Sequence, residues 1–250
     1  MKNIKKFILI PVYNDSKSLN KLLTKLDNNL KKKISNIEIL IINDNSTDKL
    51  KLFSRKFSCI KKINILTLSK NVGSQRAIAL GLLYLKKIKN DFIVTVMDSD
   101  GEDDPVEVPK MISLAMKNSN YVITSNRKSR KETRIIIFLY HMHLLLTFLF
   151  TFKWISFGNF TCFHKKNLSR LFIDNSSFCA HSSAVMKNCS IKRIYARRKK
   201  RYFDKSKLGL TSLIEHSLRV NAVFLKNIIC YSIIYIFIFT VFLPEILNLF

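Results

Sequence analysis

Five short apolar runs punctuate the first half of the chain: FILIPVY (7–13), IEILIIND (37–44), INILTLS (63–69), DFIVTVMD (91–98) and YVITSN (121–126). Each ends in turn-forming or polar residues, and none shows the polar/apolar alternation of a half-exposed strand. They read as strands covered on both faces. Between them, SKSLNKLLTKLDNNL (16–30) sets Leu19, Leu22, Leu23, Leu26 and Leu30 at helical spacing. Further helices are expected over 47–57, 74–87 and, after Pro105, 105–116. Strands alternating with helices predict an α/β fold with a mostly parallel, helix-covered sheet. Ligands of such sheets bind beyond the carboxyl ends of the strands. Asp44 and Asp98 fall at those ends, and Asn14 lies just past the first strand.

The fourth strand runs into VMDSDGEDDPVEV (96–108), which packs Asp98, Asp100, Glu102, Asp103, Asp104 and Glu107 into ten positions. These are six of only 17 acidic residues in a chain with 43 Lys and Arg and a formal net charge of +26. Two unit charges 4 Å apart repel by about 4 kcal/mol at an effective dielectric near 20, so such carboxylates must diverge or share a cation. On an extended segment Asp98 and Asp100 share a face, and their hard oxygens suit Mg²⁺ or Mn²⁺. A plainer role coexists with this one: acids at the start of the following helix favour its dipole.

The excess of positive charge predicts an anionic partner, nucleic acid or membrane. Residues 227–244, NIICYSIIYIFIFTVFLP, carry no charged side chain, and a hydrocarbon span needs about 20 apolar residues. The expectation is therefore a transmembrane helix over 226–247, an anionic membrane as partner, and no nucleic acid. Arg219, Lys226 and the basic stretch 192–207 precede it, which places the preceding domain on the cytoplasmic side, at the cell inner membrane. The run 135–152 is also uncharged. As a second span it would put the basic segment 197–207 across the membrane from the acidic one, so an interfacial or core helix is expected. Five scattered cysteines without a CxxC pair fit reduced thiols, and the N-terminal FILI is too short for a signal-peptide core. His141 and His143, two apart on a helix, point about 200° apart and do not make one metal site.

The segments PVYND (11–15), IINDNSTD (41–48), LSKNVGSQRAIALGL (68–82) and MDSDGEDDPVEV (97–108) stand in an order and spacing that resemble the family 2 glycosyltransferases of the GT-A fold. The nearest likeness is to polyprenyl-phosphate glycosyltransferases, including the dolichol-phosphate mannosyltransferase type. It covers residues 5–127 well and 127–222 more loosely. The resemblance implies a catalytic domain over 1–222, with a nucleotide-sugar half at 5–127 and an acceptor half at 128–222. Pro11, Tyr13, Asn14, Asp15 and Asp44 would hold the nucleotide of a UDP- or GDP-hexose, with Lys70, Asn71 and Gln75 lining its pocket. Asp98 and Asp100 would bind a Mg²⁺ or Mn²⁺ ion on the donor diphosphate, with Glu102 where the family often has a metal-binding Gln. Asn43 stands where the family carries the first acid of a pair. RYFDKSK (201–207) resembles the family's R-x-x-G-x-S-K, with Asp204 in the glycine position.

Transfer to a hydroxyl calls for a general base, whereas a lipid phosphate is already an anion and calls for cations. Between Glu107 and Asp204 the only acids are Glu132 and Asp174. Arg127, Arg130 and Arg134 in one loop, with Arg201, Ser206 and Lys207 in another, are the expected acceptor-phosphate ligands; Arg127 and Arg201 join Asp98 and Asp100 as the catalytic set. The expected reaction is inverting, metal-dependent hexose transfer to a polyprenyl phosphate. One alternative is transfer to a hydroxyl of a lipid-linked glycan, with Asp174 or Glu132 as base. A non-catalytic basic binding module on a degenerate transferase scaffold is the other. Trp154 and the FGNF turn (157–160) are candidates to shape the acceptor or sugar pocket.

Overall fold

The computed structural model describes residues 4–30, 34, 36–53, 56–127, 134–196, 198–203 and 210–247. The expected strands appear as β1 (Lys5–Val12), β2 (Ile37–Asn43), β3 (Ile60–Thr67), β4 (Phe92–Val96) and β5 (Tyr121–Arg127), joined by β6 (Phe157–His164) and β7 (Ser190–Ala196). They form one sheet in the order β3-β2-β1-β4-β6-β5-β7. All pairings are parallel except those of β6, which runs antiparallel to both β4 and β5. The expected α/β class with a mostly parallel sheet is what the chain adopts.

β1, β2 and β4 read as unbroken apolar runs because both faces are covered, whereas β3, expected to be covered as well, lies at the sheet edge and buries only Ile60. Side chains alternate faces along a strand. In β1 and β2, Ile8, Ile10, Ile39 and Ile41 pack with Leu19, Leu22, Leu23 and Leu26 of α1 (Ser16–Leu30) and Met111 and Ile112 of α3 (Val108–Lys117). Their neighbours Leu9, Leu40 and Ile42 face α2 (Ser74–Lys86) through Ala77, Ile78 and Leu82, in a cluster that α7 (His181–Asn188) extends over β6 with Ala184 and Val185. Gly81 allows α2 this closeness: a Cβ there would lie 2.7 Å from the Leu9 Cδ1 and 2.8 Å from the Ile42 side chain. Burying leucines such as Leu22 is what fixes α1, and Leu22→Ala costs about 2–5 kcal/mol in sites of this kind.

The expected helix over 47–57 is not formed at its described positions, where the chain runs irregularly. Two buried polar residues of α1 organise this connection. Asn20 donates to the Lys51 carbonyl (2.7 Å) and accepts from the Phe53 N–H (2.8 Å). Asp27 accepts from the Ser58 and Cys59 N–H groups, both at 2.8 Å. Side chains satisfy the backbone polar groups that a helix would have paired internally.

After β5 come α4 (Arg134–Thr151), the short α5 (Asn167–Leu171) and α6 (Ser176–Cys179), and, beyond β7, α8 (Leu210–Ala222) and α9 (Leu225–Leu247). The stretch expected as an interfacial or core helix is α4. It buries Leu144, Thr147 and Thr151 yet exposes Phe138, Leu139, Leu145, Leu146 and Leu149. Its inner side meets α8 and α9: Thr147 Oγ1 donates to Asn221 (2.8 Å), His143 Nδ1 meets Ser217 Oγ (2.6 Å), and the Tyr235 hydroxyl donates to the Leu149 carbonyl (2.5 Å). Residues Leu225–Leu243 of α9 form the one helix, among the described residues, long and apolar enough to cross a membrane, and none of it is buried.

Candidate active site

The carboxyl ends of β1, β2 and β4 converge on a cleft of about 230 Å³ lined by Pro11, Val12, Tyr13, Asp15, Asp44, Ser74, Asp98, Ser99, Asp100 and Arg201. Its first wall is the turn after β1. Asn14 adopts φ 48°, a left-handed conformation that Asn tolerates better than most residues. The Asn14 side chain accepts from the Thr47 N–H (2.9 Å) and donates to the Thr47 hydroxyl (2.9 Å), so it fastens the turn after β2 rather than facing the cleft. Asp15 caps α1 by accepting from the Ser18 N–H (3.2 Å). Asp44 is buried and accepts from the N–H groups of Val72 (2.8 Å) and Gly73 (2.9 Å). Burial raises its carboxyl above the usual range, and those two N–H groups oppose the rise. Asn43, in the place of the family's first acid, accepts from the Ser46 N–H (3.1 Å) and so shapes the same turn.

The second wall is the acidic turn. Asp103 accepts from the Asp98 N–H (3.0 Å), Asp100 from the Glu102 N–H (2.9 Å), and Asp104 caps the 3-10 turn Pro105–Glu107 through the Val106 N–H (3.2 Å). Residues 198–203 lie across it as a basic strap. Arg198 pairs with Glu102, Lys199 with Asp104 (3.2 Å) and Arg201 with Asp100 (3.0 Å). Backbone bonds from Lys199 N to the Glu102 carbonyl (3.0 Å) and from Tyr202 N to the Asp100 carbonyl (2.9 Å) hold the strap down. At Gly101 (φ 86°) the Tyr202 ring occupies the space a Cβ would need. The crowding of acids is thus answered in part by the chain's own cations. It is not fully answered: burial, then the charges of Asp98 and Glu102, push Asp100 up to about 6 despite Arg201.

Behind Asp98 a chain of hydrogen bonds runs into the core. Asn159 Nδ2 donates to Asp98 Oδ1 (3.1 Å), Gln75 Nε2 donates to Asn159 Oδ1 (3.1 Å), and the backbone N–H of His181 donates to Gln75 Oε1 (2.7 Å). His181 is fully buried, its Nε2 is 2.8 Å from Thr161 Oγ1, and burial lowers its ring to about 4, so it is neutral.

The structure therefore brings Pro11, Tyr13, Asp15, Asp44, Asp98, Asp100 and Arg201 of the expected set into one cleft. Asn14, Lys70, Asn71, Gln75 and Glu102 are outside its lining. Asn71 accepts from the Gly73 N–H (3.2 Å), Gln75 is buried behind Asp98, and Glu102 faces a smaller adjoining recess with Asp98, Asp103, Asn126, Gly158, Asn159 and Arg198. Trp154 lines neither, whereas Gly158, Asn159 and Phe160 of the FGNF turn line the recess. Arg127 is the last residue of β5, in register with Ala196, and Arg134 opens α4. Arg130, Asp204, Ser206 and Lys207 lie outside the described residues. Asp174, the base candidate for a hydroxyl acceptor, is bound instead to Lys187 (2.9 Å), the Ser176 N–H (2.9 Å) and Asn188 (3.1 Å). Asn159 lies in the FGNF turn expected to shape a pocket, but its bond to Asp98 has no signal in the sequence, and neither have the pairings of Arg198 and Lys199 with the acidic turn.

This arrangement is the GT-A fold. Aligned over 90% of this chain and 79% of its own, glucosyl-3-phosphoglycerate synthase from Mycobacterium tuberculosis, crystallised with Mn²⁺ and uridine-diphosphate-glucose, superposes with a TM-score of 0.59 at 12% identity. The chain belongs to glycosyl transferase family 2, whose model matches residues 7–194. It is similar to the undecaprenyl-phosphate 4-deoxy-4-formamido-L-arabinose transferase of Aeromonas hydrophila, 28% identical over half of this chain and 38% of that protein. The dolichol-phosphate mannosyltransferase of Pyrococcus furiosus is 29% identical over 48% of this chain and 32% of its own length. The chain thus matches well under half the length of either relative.

Proposed function

We propose that the protein transfers a hexose, with inversion, from a UDP- or GDP-sugar to a polyprenyl phosphate at the cytoplasmic face of the inner membrane. The observation that carries this reading is the single cleft that collects Asp15, Asp44, Asp98, Asp100 and Arg201 at the ends of parallel strands. The names of the relatives support the lipid-phosphate acceptor, and the fold neighbour's ligands support the nucleotide-sugar donor.

Asp98 and Asp100 would hold a Mg²⁺ or Mn²⁺ ion. The donor set fits: both are hard oxygen ligands in one cleft, and Asp100 carries uncompensated repulsion that a cation relieves. No group of three or more His, Cys, Asp or Glu among the described residues is placed to hold an ion. Water and the donor diphosphate would complete the shell, as Mg²⁺ favours. When bound, the ion neutralises charge on the departing nucleoside diphosphate. The protein's own part is positional. The turns fixed by Asn14 and Asp44 shape the nucleotide wall, and the acidic turn fixes the diphosphate end.

An acceptor phosphate oxygen bonds to the anomeric carbon as that carbon's bond to the diphosphate oxygen breaks, which inverts the centre. No proton has to be removed. Arg127, Arg130, Arg134, Arg201, Ser206 and Lys207 are proposed to hold that phosphate, with Arg201 turning from Asp100 to the ligand. The engagement of Asp174 by Lys187 favours this acceptor over a hydroxyl. The uncovered apolar surfaces of α9 and α4 support a membrane location. The test is to incubate the detergent-solubilised protein with undecaprenyl phosphate and labelled UDP-glucose, UDP-N-acetylglucosamine or GDP-mannose, with Mn²⁺ or EDTA. Label in the lipid extract that requires the ion is expected. No labelled lipid from any donor would overturn the reading in favour of a binding module.

A further inference from the structure

The hydrogen-bond chain behind Asp98 has a fixed direction, and we propose that Gln75 and Asn159 are positioning residues that aim the Asp98 carboxylate into the donor cleft. The inference rests on the reading of Asp98 as an ion ligand. Its geometry begins in the sheet. β4 and β6 pair antiparallel, Ile93 with His164 through Val96 with Thr161. Continued two residues past the ladder, that register sets Asn159 opposite Asp98. Its amide can therefore reach the carboxylate, Oδ1 at 3.1 Å and Oδ2 at 3.5 Å.

Direction comes from the other end. A side-chain amide can turn over and exchange its donor and acceptor. A backbone N–H cannot. The His181 N–H must donate, so Gln75 must present its oxygen there and its NH₂ to Asn159. Asn159 must then accept from Gln75 and turn its NH₂ toward Asp98. An ionised carboxylate can only accept, so both termini demand the same orientation. If either amide turns over, two donors or two acceptors meet. The anchor itself is rigid: His181 opens α7, is fully buried, and is held by Thr161, which lies two residues from Asn159 on the same face of β6. Gln75, in the first turn of α2, is only 6% exposed, so water does not compete for its amide.

A chain that merely ties α2, α7 and β6 together would behave differently from one that aims Asp98, and Gln75 separates the two. Gln75→Leu removes both of its bonds but leaves Asn159 able to donate to Asp98. Gln75→Glu keeps the size and, as a carboxylate, still accepts the His181 N–H yet cannot donate to Asn159; a protonated carboxyl would donate as Gln75 does, so the variants are compared at about pH 8.5. Asn159 then turns its NH₂ toward the new carboxylate and its oxygen toward Asp98. Positioning therefore requires Gln75→Glu to harm ion binding more than Gln75→Leu, whereas a tie requires Gln75→Leu to be at least as harmful.

The experiment is titration of Mn²⁺ into the full-length protein with saturating UDP, by calorimetry or by loss of the free-ion paramagnetic resonance signal, alongside thermal unfolding. The expected result is Mn²⁺ affinity lowered about 10–100-fold by Gln75→Glu, the usual cost of disturbing a ligand's hydrogen-bond partner, and less by Gln75→Leu. Asn159→Ala, at the wetter end of the chain, is expected to weaken Mn²⁺ about 10-fold or more. It carries the test alone if Gln75→Glu does not fold. Wild-type affinity in Gln75→Glu or Asn159→Ala, or equal or greater loss in Gln75→Leu, overturns the positioning role and leaves the proposed function standing. The titration is repeated with GDP, and if the wild-type protein binds no Mn²⁺ with either nucleotide, both readings fall.

Discussion

Replacing Asp100 with asparagine separates the two demands placed on the acidic turn. The amide keeps the shape of the side chain and the oxygen that accepts the Glu102 N–H. It removes one of two neighbouring buried charges. Asp100 is displaced from the usual 3.8 to about 6, about two pK units, so its charged form is disfavoured by about 3 kcal/mol in the folded protein at neutral pH. That balance already includes the attraction of Arg201, which lowers the carboxyl. The net expectation is a protein more stable by about 3 kcal/mol, which for a chain of this size means a Tm higher by about 6–12 °C. The assay is thermal unfolding in detergent at pH 7.5, first in EDTA and then with Mn²⁺ and UDP. In EDTA the variant should melt higher than wild type. With ion and nucleotide the wild type should gain and the variant should not. A variant that melts lower in EDTA, or that Mn²⁺ still stabilises as it does wild type, would refute the account of this turn as a destabilised ion site. The sign in pH is also set. Between about pH 4 and 6 the folded state binds the Asp100 proton more tightly than the unfolded chain, so wild type loses stability on this account as pH rises through that window.

His181 acts with the opposite sign over nearly the same range. Its ring is held near 4 against the usual 6.5, so stability present above pH 6.5 is lost as pH falls toward 4, by about 3 kcal/mol in full. Asp100→Asn removes the opposing slope, and His164, also lowered by burial, adds to that of His181, so a flat urea-unfolding profile between those values would contradict a neutral buried ring. Gly101→Ala is expected to cost about 1–3 kcal/mol, from the positive φ and from the Tyr202 ring in the way of its methyl, read as a lower urea midpoint. Tyr202→Phe should leave stability unchanged or raise it by up to about 1 kcal/mol, because the buried hydroxyl has no partner among the described residues. Arg201→Ala should raise the KM for undecaprenyl phosphate at least several-fold while UDP still binds. Removal of residues 225–250 should free the protein from carbonate-washed membranes. If it stays, α4 is the anchor.

The first half of the chain was legible because its signals are local. Unbroken apolar strands announce a sheet covered on both faces, and turn chemistry at Asn14, Asp44 and Gly101 follows directly in sequence. The expected helix over 47–57 failed because its backbone partners, Asn20 and Asp27, lie a full helix and turn earlier and read there only as polar interruptions of α1. β6 and β7 were missed for different reasons. FGNFTCFH mixes amide, hydroxyl and aromatic groups, and SIKRIYA is an edge strand that buries only Ile194 and Ala196. The pairing of Arg198, Lys199 and Arg201 with the acidic turn spans about 95–100 residues and has no local signature. Gln75 was placed in the cleft by motif alone. Its actual position, one amide back, depends on α7, which the sequence did not reveal.

The reversed strand β6 has a consequence for how such a protein can change. Its parallel neighbours deliver side chains to the cleft from their exits, committed by everything folded before them. β6 delivers Gly158 and Asn159 from its entrance, straight after the α4 segment and Trp154. Insertions or replacements in that approach can therefore remodel the recess beside the acidic turn while the turns after β1 and β2 stay untouched.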